Sequence, residues 1–452
     1  MSDPGFPPEQ VLTHPRHQAA QKTLAELIEQ LRACEGPADG YAFQRELLEH
    51  VLAAESKRNA CSQAVKLLRK GRQIPVAAPQ IESSMDPAQL GSWVFEREMW
   101  ERIARQYRSI GDAMAWRAFG FRREFILALS RSEPAGVMAG KAGLAAELER
   151  VESAWADGSF ALLHDLTNCL RIGDVTVFGP DDVPVTEEIK TNPRRHDPAQ
   201  LRRIQAAREA VWHNAVLPGD DPRQKLYDLA IPYKTHLDLL RATAEQAASE
   251  GIAAAAVPGS RAVVVVDQYG LMNAGITEET FPERFDALYE PVRRRAGLDV
   301  RRALNIGATS LDSTARNPRR APWAIYPLHP VLCARLIGDI AVFMVETHGP
   351  ALAQQLQAVG IPARWTCRSG SSGELMPGEV VMEMTTVRRT PLGTGILEDK
   401  RVLQMQQAEL DRYLIELADP VIWSAGIRHL VENRQAPDRP WPHYRNEHLV
   451  WD

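Results

Sequence analysis

Between residues 160 and 211 the spacing of apolar positions changes from strand-like to helix-like. In residues 183–190, Val183, Val185 and Ile189 fall on one side of a strand and Thr186, Glu188 and Lys190 on the other, because successive side chains face opposite sides. Residues 172–178 form the strand before it, and Gly179-Pro180-Asp181-Asp182 is a turn signal that folds the two together. That pairing brings Asp174 next to Glu188. Upstream, residues 143–155 predict an amphipathic helix with Leu144, Leu148, Val151 and Trp155 on its apolar face; Glu147 lies beside that face and Glu149 points away. Downstream, Asp197-Pro198 is a helix start, an N-cap followed by a proline whose missing N–H costs nothing there. The helix 199–211 then turns Leu201, Ile204 and Val211 inward, with Gln205 close to the same face. Residues 261–267, an arginine, an apolar run and an aspartate, read as a fully buried strand.

The rest of the chain is patterned less sharply. Residues 18–68 are helical, with Leu24, Leu27, Ile28 and Leu31 at helix spacing and Leu47, Leu48 and Val51 after them. Residues 73–90, rich in Pro, Ala and Ser, read as a linker. A long helix over 92–119 carries Trp93, Trp100, Ile103, Tyr107, Ile110 and Met114, a stripe better suited to a core than to stacking on bases. Residues 125–129 are a strand or a short helix; 325–359 predict helix after Pro330, 379–386 a strand, and 400–417 a last helix. The expected organisation is α/β: a helical N-terminal region with its linker (1–90), a domain over 91–270 with a central mixed sheet flanked by helices, and an α/β C-terminal region (271–452) of unassigned role.

Composition narrows the class. At 452 residues the chain suits two or three domains, and 44% hydrophobic with 25% charged residues is ordinary for a globular protein, which argues against long disorder. A formal net charge of -5 means that any nucleic-acid track must come from local basic patches. The five cysteines are scattered and lack Cys-x-x-Cys spacing, as expected of reduced thiols in a cytoplasmic protein without a closed zinc site. His443 and His448, in the Trp- and His-rich tail, have no cysteine at metal-ligand spacing. No apolar stretch reaches membrane-spanning length, so no membrane is expected. Walker, dinucleotide-binding, nucleophile-elbow and His-Glu-x-x-His motifs are missing from the sequence.

Two carboxylates and a lysine on neighbouring strands suit metal-dependent phosphodiester hydrolysis. Hard oxygen ligands hold Mg²⁺, with Mn²⁺ as a substitute, and a bound dication lowers the pKa of water and stabilises the leaving oxygen. Asp174 and Glu188 are the expected ligands, with the carbonyl of Ile189 a further one; Lys190 would position the attacking water, Glu147 would add a carboxylate, and Asp165, expected on the strand before, is an extra candidate. Arg194, Arg195, Arg202 and Arg203, with Arg208 and Gln205, form a patch suited to phosphate. Basic clusters at 57–72 and 293–302 have the same two readings, phosphate contact or a solvated face.

Asp174 followed by Glu188-Ile189-Lys190 resembles the signature of the PD-(D/E)XK, or restriction-endonuclease-like, nuclease superfamily, over roughly residues 140–270. The order helix, three strands, helix, strand is that family's core order. Gly173 stands where the signature has proline. The resemblance implies a Mg²⁺-dependent endonuclease acting on DNA in preference to RNA, in bacterial restriction, repair or antiphage defence, with a protein partner or self-association through the flanking regions. It also implies that Glu147 is the acidic residue of the first core helix. Two other readings stay open: a non-catalytic nucleic-acid-binding or assembly protein that keeps a nuclease-like scaffold, and a partner-binding protein unrelated to nucleic acid. If the flanks restrain the site, a fragment over 92–270 should cleave faster than the full chain.

Overall fold

A computed structural model of the chain describes residues 8–74, 89–131, 133–179, 183–190, 198–213, 234–298, 304–311, 320–366, 379–389, 396–404 and 407–433. The chain divides into two compact units, Met1–Leu226 with Ala321–Tyr326, and Tyr227–Arg320 with Pro327–Val450.

The first unit opens with helices α1 (Pro8–Leu12), α2 (Pro15–Ala33), α3 (Pro37–Arg69) and α4 (Leu90–Ala118). The apolar stripe of α2 is buried as its spacing predicts, Leu24, Leu27, Ile28 and Leu31 all being inaccessible, and α3 and α4 pack along each other, with Cys61, Ala64 and Val65 clustered against Trp93. Trp93 and Tyr107 are core residues of α4. Helices α5 (Arg123–Leu129) and α6 (Leu144–Ala156) lead into a three-stranded antiparallel meander, β1 (Phe160–Leu163), β2 (Val175–Phe178) and β3 (Pro184–Glu187), followed by α7 (Pro198–His213). A single 3₁₀ turn, His164–Leu166, joins β1 to the loop before β2. Arg32 donates to the carbonyls of Ala324 and Tyr326, tying that short returning segment onto the helical layer.

The second unit holds α8 (Leu237–Glu250), β4 (Ile252–Val257), β5 (Arg261–Asp267), α9 (Gln268–Asn273), α10 (Phe281–Arg295), β6 (Asn305–Thr309), α11 (Pro330–Ile337), β7 (Ala341–His348) and α12 (Gly349–Ala358). Its main sheet has the order β4-β5-β7-β6. A second sheet, order β10-β9-β8, is made by β8 (Ala363–Thr366), β9 (Glu379–Arg389) and β10 (Ile396–Gln404), and α13 (Gln407–Leu414) and α14 (Pro420–Asn433) close the unit.

α/β architecture is therefore present, but several finer expectations are corrected. All pairings between named strands are antiparallel, where a mixed sheet was expected. The buried strand β5 pairs with β4 and β7 in the second unit, not with the Asp174 strand. Residues 91–270 thus span both units, and the helices of 1–90 belong with the Asp174 meander. Residues 341–348, expected to be helical, alternate buried and half-buried as strand β7: Val345 and Phe343 face the core, and β-branched residues fit a pleated surface. Residues 400–404, read as the start of the last helix, pair with β9 as part of β10. Among the described residues no helix is long and apolar enough to cross a membrane.

Candidate metal centre

The β2–β3 register places Val175 opposite Glu187 and Thr176 opposite Thr186. Asp174 precedes Val175 and Glu188 follows Glu187 at the end of that ladder, near enough for Glu188 to repel the Asp174 carboxylate. The strand β3 ends at Glu187, so Glu188, Ile189 and Lys190 lie just past it rather than within it. Asp174 holds that end in place twice: its backbone N–H donates to the Glu187 carbonyl at 2.8 Å, and its Oδ2 accepts the Ile189 N–H at 2.7 Å.

Gly173 explains why proline is excluded before this aspartate. Its φ is +78°, whereas the proline ring fixes φ near −65°. A Cβ there would also lie 2.4 Å from Thr186 Cγ2 and 3.0 Å from the Glu187 carbonyl oxygen. Close approach of the two strands requires glycine. The Gly173 carbonyl accepts from His164 Nδ1 at 3.1 Å, and His164 Nε2 meets Thr176 Oγ1 at 2.7 Å; Thr176 in turn bonds Thr186 across the strands at 2.9 Å. Because a carbonyl can only accept, Nδ1 carries the proton. Burial first, with Arg171 adding to it, lowers the His164 pKa to about 4, so the ring is neutral.

The lysine among the acids is Lys141, a residue the sequence pattern did not single out. Its Nζ lies 2.7 Å from Glu147 Oε1, 2.7 Å from Asp165 Oδ2 and 4.0 Å from Asp174 Oδ1. Burial alone would lower the Lys141 pKa, but hydrogen bonds to Asp165 and Glu147 outweigh it and raise it, keeping the ammonium charged. Lys190, expected among these acids, instead bonds Glu188 Oε1. Asp165 sits in the 3₁₀ turn after β1 rather than on the strand. The only sequence trace of Lys141 was the run of glycines at 136, 140 and 143, of which Gly140 has φ +87°.

Helices from the N-terminal region fix this loop. The buried pair of Glu55 on α3 and Arg108 on α4 (2.5 Å) grips it from both ends: Glu55 Oε2 accepts the N–H groups of Met138 and Ala139 at 2.8 Å each, while Arg108 donates to the Gly136 and Asp165 carbonyls. Gln44 on α3 donates to the Ala161 carbonyl and accepts the Leu163 N–H, acting as a strand partner for β1. At Gly111 a Cβ would lie 1.9 Å from the Leu166 carbonyl oxygen, which is how closely α4 passes the turn bearing Asp165.

Glu147 is 2% exposed, and its Oε2 is buried without a hydrogen-bond partner; Glu188 Oε2 is in the same condition. Burial raises the Glu147 pKa, with Lys141 opposing and Asp174 and Asp165 adding to the rise. Asp174 is also raised, by burial first, against the Ile189 N–H and Lys141, with Glu188 contributing repulsion. Both features follow from crowding like charges in a partly desolvated place. The donors are hard oxygens, which suits Mg²⁺ or Mn²⁺ better than a soft metal; His164 is committed to Gly173 and Thr176. Among the described residues no three His, Cys, Asp or Glu side chains are already placed to hold a metal ion, and the Lys141 ammonium lies between Glu147 and Asp165.

The arginine patch is only partly placed. Arg194 and Arg195 lie outside the described residues, as do His443 and His448. Arg202 and Arg203 are on α7, where they bond the Pro198 carbonyl and Gln200. Gln205 is exposed rather than turned inward, and Leu201 is 49% exposed; the buried face of α7 is Ala207, Ala210 and Val211, with Ile204 half-buried against Gly173. The helix is rotated toward its small residues, which allow closer packing than leucine does. On the other face of the meander, Arg150 clamps Glu187 with two bonds of 2.7 and 2.8 Å.

Compared with protein-family models, with curated proteins and with solved structures, the chain has no match.

Proposed function

We propose that this chain is a metal-dependent phosphodiesterase, a nuclease acting on DNA in preference to RNA, in keeping with its resemblance to the PD-(D/E)XK superfamily and that family's part in restriction and antiphage defence. The observation that carries the reading is the placing of Asp174 and Glu188 together at the end of the β2–β3 ladder, beside a buried Glu147 with an unpartnered oxygen. Asp174, Glu188 and Glu147 would hold Mg²⁺ or Mn²⁺, and the Ile189 backbone, fixed by its bond to Asp174, would sit beside it. The ion, when bound, lowers the pKa of water and neutralises charge on the phosphate. Lys190 balances Glu188 and stands at the strand end, where an ammonium can orient a water molecule. Arg202 and Arg203 add positive charge on α7 for the substrate backbone. Hydrogen bonds from Ile189 and repulsion from Glu188 act on Asp174 in opposite directions, and a bound cation shifts that balance toward the ionised form.

Incubation with plasmid, linear, single-stranded and RNA substrates, with and without Mg²⁺, tests this. Cleavage should require the metal and fall by about 10³-fold or more in Asp174→Asn and Glu188→Gln, the scale of losing a ligand that stabilises transition-state charge. Cleavage that survives both chelation and Lys190→Ala would refute the assignment. One observation favours a second reading, the nuclease-like scaffold without cleavage: the ammonium of Lys141 already neutralises part of the carboxylate cluster. Such a scaffold would bind nucleic acid with steep salt dependence and leave it intact.

A further inference from the structure

Lys141 is placed with unusual care for a residue that takes no part in the proposed chemistry. The loop just before it is gripped at Gly136, Met138 and Ala139 by Glu55 and Arg108, two residues from different helices, its own N–H bonds the Met138 carbonyl, and its side chain lies between the carboxylates of Glu147 and Asp165, 4.0 Å from Asp174. The ammonium offsets one of these three carboxylate charges, and a dication in its place would offset two. Glu147 Oε2 remains buried and without a partner even so, one lone-pair set that the ammonium does not reach. The fixed backbone confines any movement to the side chain, which has four rotatable bonds and is about one-third exposed, so it has a path to water.

We propose that Lys141 is a tethered counter-cation: its ammonium holds the place of the dication in the metal-free protein and is expelled when the metal enters. The proposal rests on the metal-dependent reading above. A dication coordinated by Glu147 and Asp174 would lie within a few ångströms of the present ammonium position, and like charges at that distance repel strongly in a partly buried place. The two cations therefore compete for the same carboxylates. Without metal, Lys141 offsets the repulsion among the acids and so holds the site together, and it sets the metal concentration at which the site fills.

Calorimetric titration of the full chain with Mn²⁺ tests this, comparing the wild type with Lys141→Met, Lys141→Arg and Asp174→Asn. Removing the competing charge should tighten Mn²⁺ binding about tenfold in Lys141→Met, an order-of-magnitude expectation for one nearby charge. Lys141→Arg, which keeps the charge, should bind no more tightly than the wild type. The metal-free Lys141→Met protein should melt lower than the wild type, and Mn²⁺ should raise its melting temperature by more. Lys141→Gln, whose neutral amide still donates a hydrogen bond into the cluster, carries the same expectation if the methionine variant does not fold. Equal or weaker Mn²⁺ binding in the neutral variants, with binding abolished in Asp174→Asn, would overturn the counter-cation while leaving the metal site standing. No binding by any of the four proteins would overturn both.

Discussion

His164 shows how a single residue can organise a site without belonging to it. Its neutral ring ties the Gly173 carbonyl to Thr176, and so fixes the backbone one residue before Asp174. The pKa falls from 6.5 in an exposed chain to about 4 here, mainly through burial. An unfolded chain therefore binds a proton on this residue between those pH values when the folded one does not, and stability rises with pH across that window. His164 contributes its full effect above pH 6.5, roughly 3 kcal/mol for a shift of this size, and loses it as pH falls toward 4. Asp174 and Glu147, raised by burial, act in the opposite direction, since the folded state takes up their protons first. The difference between wild type and His164→Asn separates the two: the variant, which keeps a donor for Gly173, should melt lower at pH 7.5 but show a flatter fall from pH 6.5 to 4. Parallel curves would show that His164 is not the acid-sensitive group. None of this was visible in the sequence, where His164 is one histidine beside a leucine pair. Asp174 and Glu188 were legible because strand period and turn position fix a register. Lys141 was not, because its contacts depend on a loop held by Glu55 and Arg108, 83 and 28 positions from the loop residues they bond.

Among the elements, β3 shows that alternation separates two faces without saying which one is buried. Val185 is 53% exposed and Val183 is 42% exposed, while Thr186 meets Thr176 on the other side. That side is polar because it carries Asp174, Glu188 and the threonine pair; a site at a sheet's end reverses the usual rule that apolar residues point to the core. β3 is also the last strand of its sheet. Lysine at an exposed edge position is well tolerated and discourages pairing between chains. Val185→Lys should therefore change stability by no more than about 0.5 kcal/mol, the usual range for a surface substitution. A loss of about 2 kcal/mol or more in denaturant unfolding would mean that Val185 is packed. A reversal of the expected face occurs in α7, where Leu201 and Gln205 face outward and the alanines face in. Hydrophobic period locates helices reliably here, α2, α4 and α6 included, but the face is set by what each helix lies against, and small residues can win that contest.

At the scale of the molecule, the sequence placed its first boundary in the Pro- and Ser-rich stretch before α4, and the structure joins the two sides of it. Glu55, Gln44 and the α3 core lie on one side, Arg108 and the meander on the other, and they share a buried ion pair and a packed helix interface. Composition marks a connection between helices as readily as a division between domains, so a linker-like segment is weak evidence for independence. The strand β5 misled for a related reason. A short apolar run looks the same in any sheet, and only its partners, β4 and β7, tell which unit it serves. These facts reverse the expected behaviour of a fragment covering residues 92–270. It would lack α3, so the Lys141 loop would lose the Glu55 carboxylate and β1 its Gln44 partner, and it would carry β4 and β5 without β7. Removing Glu55 leaves Arg108 as a buried charge without its partner, a loss of about 3–5 kcal/mol by itself. The fragment should show no cooperative thermal transition and no metal-dependent cleavage, whereas a fragment over residues 1–226 should retain a cooperative transition below that of the full chain, weakened by loss of the carbonyls that Arg32 binds at 324 and 326. Circular dichroism melts of the two fragments decide it: cooperative folding with faster cleavage by 92–270 would show that the N-terminal helices restrain the site instead of building it.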